Sequence, residues 1–333
     1  MFDRSKCNLC GDCLVECQWM EVEKDQAVEW MKAMMAGERT PVLQQCITCF
    51  ACNEICPEKA NPFDLISQLQ EQYDVFASRE PARAQEEAYA FTKPLTNVPR
   101  GERVMTACVF EKTHPQLMQG ELYDLPRVSG KPYFCWMLFG HWGVESIQRK
   151  HAREMVERLA LTGAREIVCF HDDCYAMLAT LAPGYGIDVP FRPVHLSEHL
   201  VTCLRQNRHR IKRLNIDVAY QRPCASRLTP EKEHFVDELF ELAGVRRVPR
   251  ALDREDAMCC ASIKLLLGNG DPIPDQQENM LDARQSGAQA VVCLCPGCLD
   301  SLAVAAGAHQ LPTIFLGDIA RMALGEISLP VLG

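Results

Sequence analysis

No long apolar run occurs in the 333 residues. The most continuous one, Pro132 to Val144, carries His141 and falls well short of the roughly 18–20 residues a membrane-spanning helix needs, so no membrane span is expected. Positive charge is not in excess either. A net charge of -9 argues against general binding of nucleic acid or anionic membrane. The one basic stretch, Arg205 to Arg213, lacks interleaved aromatics and reads as a solvated helix face or linker. There is no Walker loop, and Gly268-Asn269-Gly270 is a turn rather than a dinucleotide fingerprint, because the remaining glycine and the following helix are missing. Without a nicotinamide or flavin motif the chain cannot collect electrons as hydride by itself. The opening MFDRSKCNLCG has no basic segment leading into an apolar one, which predicts no secretory signal and a cytoplasmic location, alone or in a membrane-associated complex. What the chain has in quantity is cysteine, 19 residues of it. In a reducing compartment such a density points to metal ligands rather than disulfides.

Eight cysteines form two matched runs, Cys7-x2-Cys10-x2-Cys13-x3-Cys17 and Cys46-x2-Cys49-x2-Cys52-x3-Cys56, the second followed by Pro57. Two residues between ligands allow a tight turn to aim successive sulfurs at neighbouring irons, with Gly11 as permissive backbone. The pattern resembles the bacterial ferredoxin spacing for two [4Fe-4S] cubanes, in which three cysteines of one run and the last of the other hold each cluster. On that pattern Cys7, Cys10, Cys13 and Cys56 hold one cubane, and Cys46, Cys49, Cys52 and Cys17 the other. Doubling of the full run argues against zinc. Apolar spacing predicts helices over Val22 to Gly37 and Pro62 to Val75, hence a helical two-cluster ferredoxin domain over 1–77. The polar, proline-bearing stretch 78–103 reads as a linker.

The remainder is a tandem repeat. TGAREIVCFHDDCYAML from Thr162 aligns without gaps on SGAQAVVCLCPGCLDSL from Ser286, and the same shift of 124 residues carries Cys135-Trp136 onto Cys259-Cys260. Each half opens with a strand-like run ending in a cysteine, Cys108 or Cys224, and continues strand, helix, strand, helix. That alternation predicts two small α/β domains, 104–213 and 214–333, with ligands on loops at the carboxyl ends of parallel strands.

In the second half Cys224, the pair Cys259-Cys260 and Cys295-Pro-Gly-Cys298 are separated by intervals of 34 residues. With these residues the chain resembles the cysteine-rich CCG-domain family, found in heterodisulfide reductase catalytic subunits and in iron-sulfur subunits of lactate, glycolate and glycerol-3-phosphate dehydrogenases. The resemblance spans nearly the whole chain and departs from the family pattern at Ala261, where the family has glycine. It implies a non-cubane [4Fe-4S] cluster on Cys224, Cys259, Cys260, Cys295 and Cys298, at which a disulfide is cleaved. Zinc or an empty thiol pocket are the competing readings of the same five residues. Adjacent cysteines suit a multi-iron cluster better than one tetrahedral metal.

The first half is degenerate. Cys108, Cys135 and Cys174 survive, while Trp136 replaces the second cysteine of the pair and His171 the first of the C-x-x-C. Three cysteines and a histidine make a structural zinc set; a bare remnant and a histidine-ligated cluster are the alternatives. Cys169, Cys293 and Cys203 read as core thiols, His195-x3-His199 as a pair without a third ligand, and Asp172 and Asp173 as loop-capping carboxylates. The expected function is an iron-sulfur subunit of a heterodisulfide reductase-like anaerobic complex. Flavin- or hydrogenase-type subunits would feed it electrons, and a thiol or disulfide would be its substrate. The alternatives are a non-catalytic subunit of a flavin dehydrogenase feeding quinone, and a zinc-bearing scaffold.

Overall fold

The repeat is built as two parallel four-stranded sheets of the same topology. Strands β1 (Arg103–Thr106), β2 (Arg127–Val128), β3 (Glu166–Cys169) and β4 (Arg192–His195) lie in the order β2-β1-β3-β4. Strands β5 (Ile216–Gln221), β6 (Val245–Arg247), β7 (Ala290–Cys293) and β8 (Thr313–Phe315) lie in the order β6-β5-β7-β8. Register places Thr106 beside Cys169 and Cys169 beside His195 in one sheet, and Gln221 beside Cys293 and Cys293 beside Phe315 in the other. Just beyond the carboxyl ends of β1, β3, β5 and β7 come Cys108, His171, Cys224 and Cys295. A parallel sheet delivers its loops, and so its ligands, to that edge. The computed structural model describes residues 1–76 and 79–331.

Through residue 76 the described chain is helical, with helices Lys24–Met35 and Pro62–Gln72 close to the expected spans. Pro62 begins the second of these, where its missing N–H costs nothing. The two cysteine runs share one backbone shape. Leu9 and Thr48, and then Gly11 and Phe50, occupy left-handed conformations at equivalent places, with φ of 61°, 57°, 78° and 63°. Gly11 is the natural residue for such a turn; Phe50 adopts it without glycine because its ring is anchored against Phe63, centroids 4.6 Å apart.

The stretch read as a linker is more structured than its composition implies. The domain boundary placed at 77–78 lies outside the described residues, and Arg79–Tyr89 forms a helix. Glu86 bonds His151 Nε2 at 2.6 Å, and Tyr89 stacks on Phe134 with centroids 4.1 Å apart. Ala82, Glu86 and Tyr89 recur at helical spacing, a pattern masked by the charged residues around them. The short strands β2, β4, β6 and β8 were likewise not anticipated, being too brief to show a period.

Of the three cores that run across the domain boundaries, two are the larger. One joins the N-terminal helices to the first half, through residues such as Leu14, Met31, Phe50, Trp136 and Ile167. The other lies between the sheets, where Phe170 and Phe315 meet with centroids 5.3 Å apart. In that second core a Cβ on Gly317 would fall 1.9 Å from the hydroxyl of buried Tyr123, which has no hydrogen-bond partner among the described residues. Gly317→Ala is therefore expected to cost about 1–3 kcal/mol in urea unfolding. Tyr123→Phe, which removes the nearest atom, restores part of the loss; strictly additive effects of the two changes would refute the contact.

Candidate metal centres

All 19 cysteines are free thiols, and the structure collects most of them into four groups. In the first, burial pushes the Cys13 thiol up to about 12, and Cys56, Cys10 and Cys7 push it in the same direction, which puts these four sulfurs in one neighbourhood. In the second, Cys17, Cys46, Cys49 and Cys52 line one enclosed cavity with Trp19, Phe50 and Ile66. Burial again raises Cys17, to about 12, reinforced by Cys49. Burial raises Cys46 and Cys52 as well, and sulfurs gathered so that ionising one is opposed by its neighbours are what a metal site without its cations looks like, since bound cations remove that penalty. Backbone N–H groups already point at sulfur, from Thr48 to Cys46 Sγ and from Ala60 to Cys56 Sγ, both at 3.4 Å.

Cys224, Cys259, Cys260, Cys295 and Cys298 line a third cavity of about 200 Å³. Cys224 Sγ lies 3.1 Å from Cys259 Sγ. Cys260 is driven well below the ordinary thiol pKa by hydrogen bonds from Cys259 and Cys298, and Cys295 by a bond from Cys298 and the charge of His171, against burial. Five converging sulfurs, two of them disposed to ionise, fit a multi-iron cluster in donor type and number. Ala261 has φ of 57°, so the chain keeps the left-handed turn here with alanine in place of glycine. Leu138, His141 and Asp173 of the first half close the cavity's other side. Sequence reasoning missed His141 and Asp173 as cavity residues; the one signal was a histidine inside an otherwise apolar run.

In the first half Cys108, Cys135 and Cys174 present sulfurs within 4.8 Å of one another, all buried. Trp136, which answers to Cys260, lies buried on the His151 ring with centroids 3.9 Å apart. His171 does not complete this triangle as the zinc reading expected. It contributes to the polarisation of Cys135, but its nitrogens group with Asp172 and Cys295 instead, because Nε2 lies 3.1 Å from Cys295 Sγ. Burial works against a charged His171, yet Asp173 and Cys295 overcome it and hold its pKa well above the usual range.

The N-terminal domain is fastened to both halves beside these groups. Thr48 Oγ1 donates to the His141 carbonyl at 2.9 Å, and His141 Nδ1 donates to the Thr48 carbonyl at 3.2 Å. Glu54, inside the second cysteine run, forms a bidentate pair with buried Arg222 at 2.7 and 2.8 Å and takes a further bond from Arg227 at 2.9 Å. Cys49 belongs to the same core as Cys259 and Cys260, and its sulfur is close enough to raise the pKa of Cys224. The second N-terminal group thus faces the five-cysteine cavity. Each N-terminal group keeps two partly exposed cysteines, Cys7 and Cys10 in the first and Cys17 and Cys52 in the second.

The remaining candidates have structural partners. Cys169 and Cys293 are buried on β3 and β7, and burial raises both thiols. Cys203 packs 3.8 Å from His199 Nε2. His195 Nδ1 bonds Ser197 Oγ at 2.6 Å, and burial lowers its pKa to about 3, while His199 Nε2 donates to the Leu122 carbonyl at 2.7 Å. In the basic stretch, Arg205 pairs with Glu238 at 2.6 Å and Arg210 with Glu121 at 2.5 Å. Among the described residues no helix is long and apolar enough to cross a membrane.

Residues 1–57 match the family model described as a 4Fe-4S dicluster domain. No curated protein matches the chain. Among solved structures, a hypothetical protein from Helicobacter pylori aligns with a TM-score of 0.61 at 13% identity, over 91% of this chain and 68% of its own; that is a likeness of fold. Arylmalonate decarboxylase aligns at a TM-score of 0.22 and 13% identity, over 69% of this chain and 95% of its own, and carries no argument. These findings place a 4Fe-4S dicluster domain at the N-terminus of a chain whose chemistry is iron-sulfur electron transfer.

Proposed function

We propose that the chain is an electron-transfer and catalytic subunit of a heterodisulfide reductase-like complex. Two cubanes, on Cys7, Cys10, Cys13 and Cys56 and on Cys46, Cys49, Cys52 and Cys17, lead to a non-cubane cluster on Cys224, Cys259, Cys260, Cys295 and Cys298. The observation that carries this reading is the cavity of about 200 Å³ bounded by those five cysteines, with Cys49 of the second cubane set packed in the same core. The order of the wire follows from packing: Cys49 of the second set shares a core with Cys259 and Cys260, so the second set relays inward and the first set is the port for a flavin- or hydrogenase-type donor subunit.

When bound, the third cluster supplies single electrons and an iron able to bind sulfur. Reduction of a disulfide RSSR by two electrons and two protons gives two RSH. The protein's part is to hold the substrate and limit water. His141 and Asp173 are the polar groups of the first half on the cavity wall, while Leu138 and Ile263 make it apolar. His141 is fixed by its reciprocal bonds to Thr48, so the wall of the cavity is tied to the loop that carries Cys49. Cys108, Cys135 and Cys174 are three candidate zinc ligands.

Metal analysis and an activity assay test the reading together. Anaerobically purified protein is expected to carry about twelve irons and one zinc, and to reduce a disulfide with a low-potential dye as donor. About eight irons would leave only the cubanes and end the proposal of a third cluster. Twelve irons without disulfide reduction would instead make the chain a relay, as in a flavin dehydrogenase that feeds quinone.

A further inference from the structure

His171 and Cys295 occupy equivalent places in the repeat, 124 residues apart, and they meet in space: His171 Nε2 lies 3.1 Å from Cys295 Sγ. The contact crosses from the degenerate half to the intact one. The ring is fixed from several sides. Asp173 Oδ2 lies 3.6 Å from Nδ1, Asp172 Oδ1 lies 3.4 Å from Nε2, and Phe110 packs at a centroid distance of 4.7 Å. His171 and Asp172 are both buried, and among the described residues the Asp172 carboxyl has no hydrogen-bond partner. A cysteine sulfur that ligates metal can only accept a hydrogen bond, so the 3.1 Å contact makes Nε2 the donor. The local fold gives the ring this direction: His171 is the last extended residue after β3, with φ of -115° and ψ of 139°, directly before helix Asp172–Ala176.

We propose that His171 is a positioning residue for the C-terminal site, donating an Nε2–H hydrogen bond to Cys295 Sγ and so raising the reduction potential of the cluster that Cys295 holds. The inference rests on the reading of the five cysteines as cluster ligands. Its physical basis is that hydrogen bonds to ligand sulfur withdraw electron density and stabilise the reduced form. A cysteine lost from one half has thus become an adjusting group for the other.

The test is a redox titration of the anaerobic holoprotein followed by electron paramagnetic resonance, with iron and zinc measured in each sample, on wild type, His171→Leu and His171→Gln. Both variants are expected to keep the full iron and zinc content. In His171→Leu the ratio of reduced to oxidised C-terminal cluster falls about tenfold at a given potential, which is about 59 mV for a one-electron couple. In His171→Gln, whose side-chain amide still donates, most of the potential is retained, and the cubanes are unchanged in both. An unshifted potential and spectrum in His171→Leu overturns the proposal. Loss of zinc with an unshifted cluster signal also overturns it, since His171 is then a zinc ligand. Loss of four irons in both variants does the same, making it a cluster ligand. Failure of the underlying reading is recognised separately, in the wild type, as an iron content of about eight before any variant is made.

Discussion

Cys260→Ser is expected to lower the iron content of the anaerobically purified protein from about twelve to about eight atoms per chain and to abolish the paramagnetic signal of the oxidised C-terminal site. Cys260 is the middle member of the sulfur series, reached by Cys259 on one side and Cys298 on the other. Its place is held independently of any metal: Gln276 Nε2 donates to its carbonyl at 3.0 Å, and Ser262 Oγ lies 3.2 Å from its sulfur. Serine at this position leaves the fold's contacts nearly unchanged but replaces a soft thiolate by a hard, rarely ionised hydroxyl, which holds iron-sulfur clusters poorly. Cys293→Ser is the control. Its thiol is buried on β7 and lies outside the cavity, so iron should be retained in full. A Cys260→Ser protein that keeps twelve irons and an unaltered signal would remove Cys260 from the ligand set.

Arg222→Met is expected to destabilise the protein by about 3–5 kcal/mol, the usual consequence of stripping one partner from a buried ionic network. The Arg222 side chain is 2% exposed and lies between Glu54, at 2.7 Å, and Glu233, at 2.9 Å. Methionine keeps the volume and removes the charge, leaving two carboxylates near each other with Arg227 the remaining cation on Glu54. Because Glu54 stands between Cys52 and Cys56, the damage falls on the joint between the second cubane set and the third cavity. Reduction of the third cluster through the cubanes should slow in the same variant, even where the protein is folded. Urea unfolding of Arg222→Met, Glu54→Gln and the pair measures the coupling; a loss under about 1 kcal/mol for Arg222→Met would mean that the joint is held by packing alone.

Much of the chemistry was legible without coordinates. The two cysteine runs could be read because a C-x2-C-x2-C run is a local backbone device: the left-handed residues that aim the sulfurs, Leu9, Gly11, Thr48 and Phe50, all lie between the ligands they serve. The repeat was legible because both halves keep the same residue spacing around β3 and β7. Less could be read where the determining contacts are distant in sequence. Helix Arg79–Tyr89 depends on His151 and Phe134, far along the chain, to hold what composition alone marks as a linker. The strands β2, β4, β6 and β8 depend on pairing with the central strands β1, β3, β5 and β7.

The sequence by itself determined that the front end carries a 4Fe-4S dicluster domain and that one half of the repeat keeps five cysteines where the other keeps three, since each of these is a matter of residue spacing. Only the tertiary structure decided how the groups adjoin. It packs the second cubane set, rather than the first, against the five-cysteine cavity, and it closes that cavity with His141 and Asp173 from the other half. It also brings His171 to Cys295, outside the close triangle of Cys108, Cys135 and Cys174 although still beside Cys135. The physical reason is that a ligand's direction is set by the strand end and helix start that carry it, and its neighbours by how the two halves and the N-terminal domain pack, through contacts such as Glu54 with Arg222 that join residues 168 positions apart.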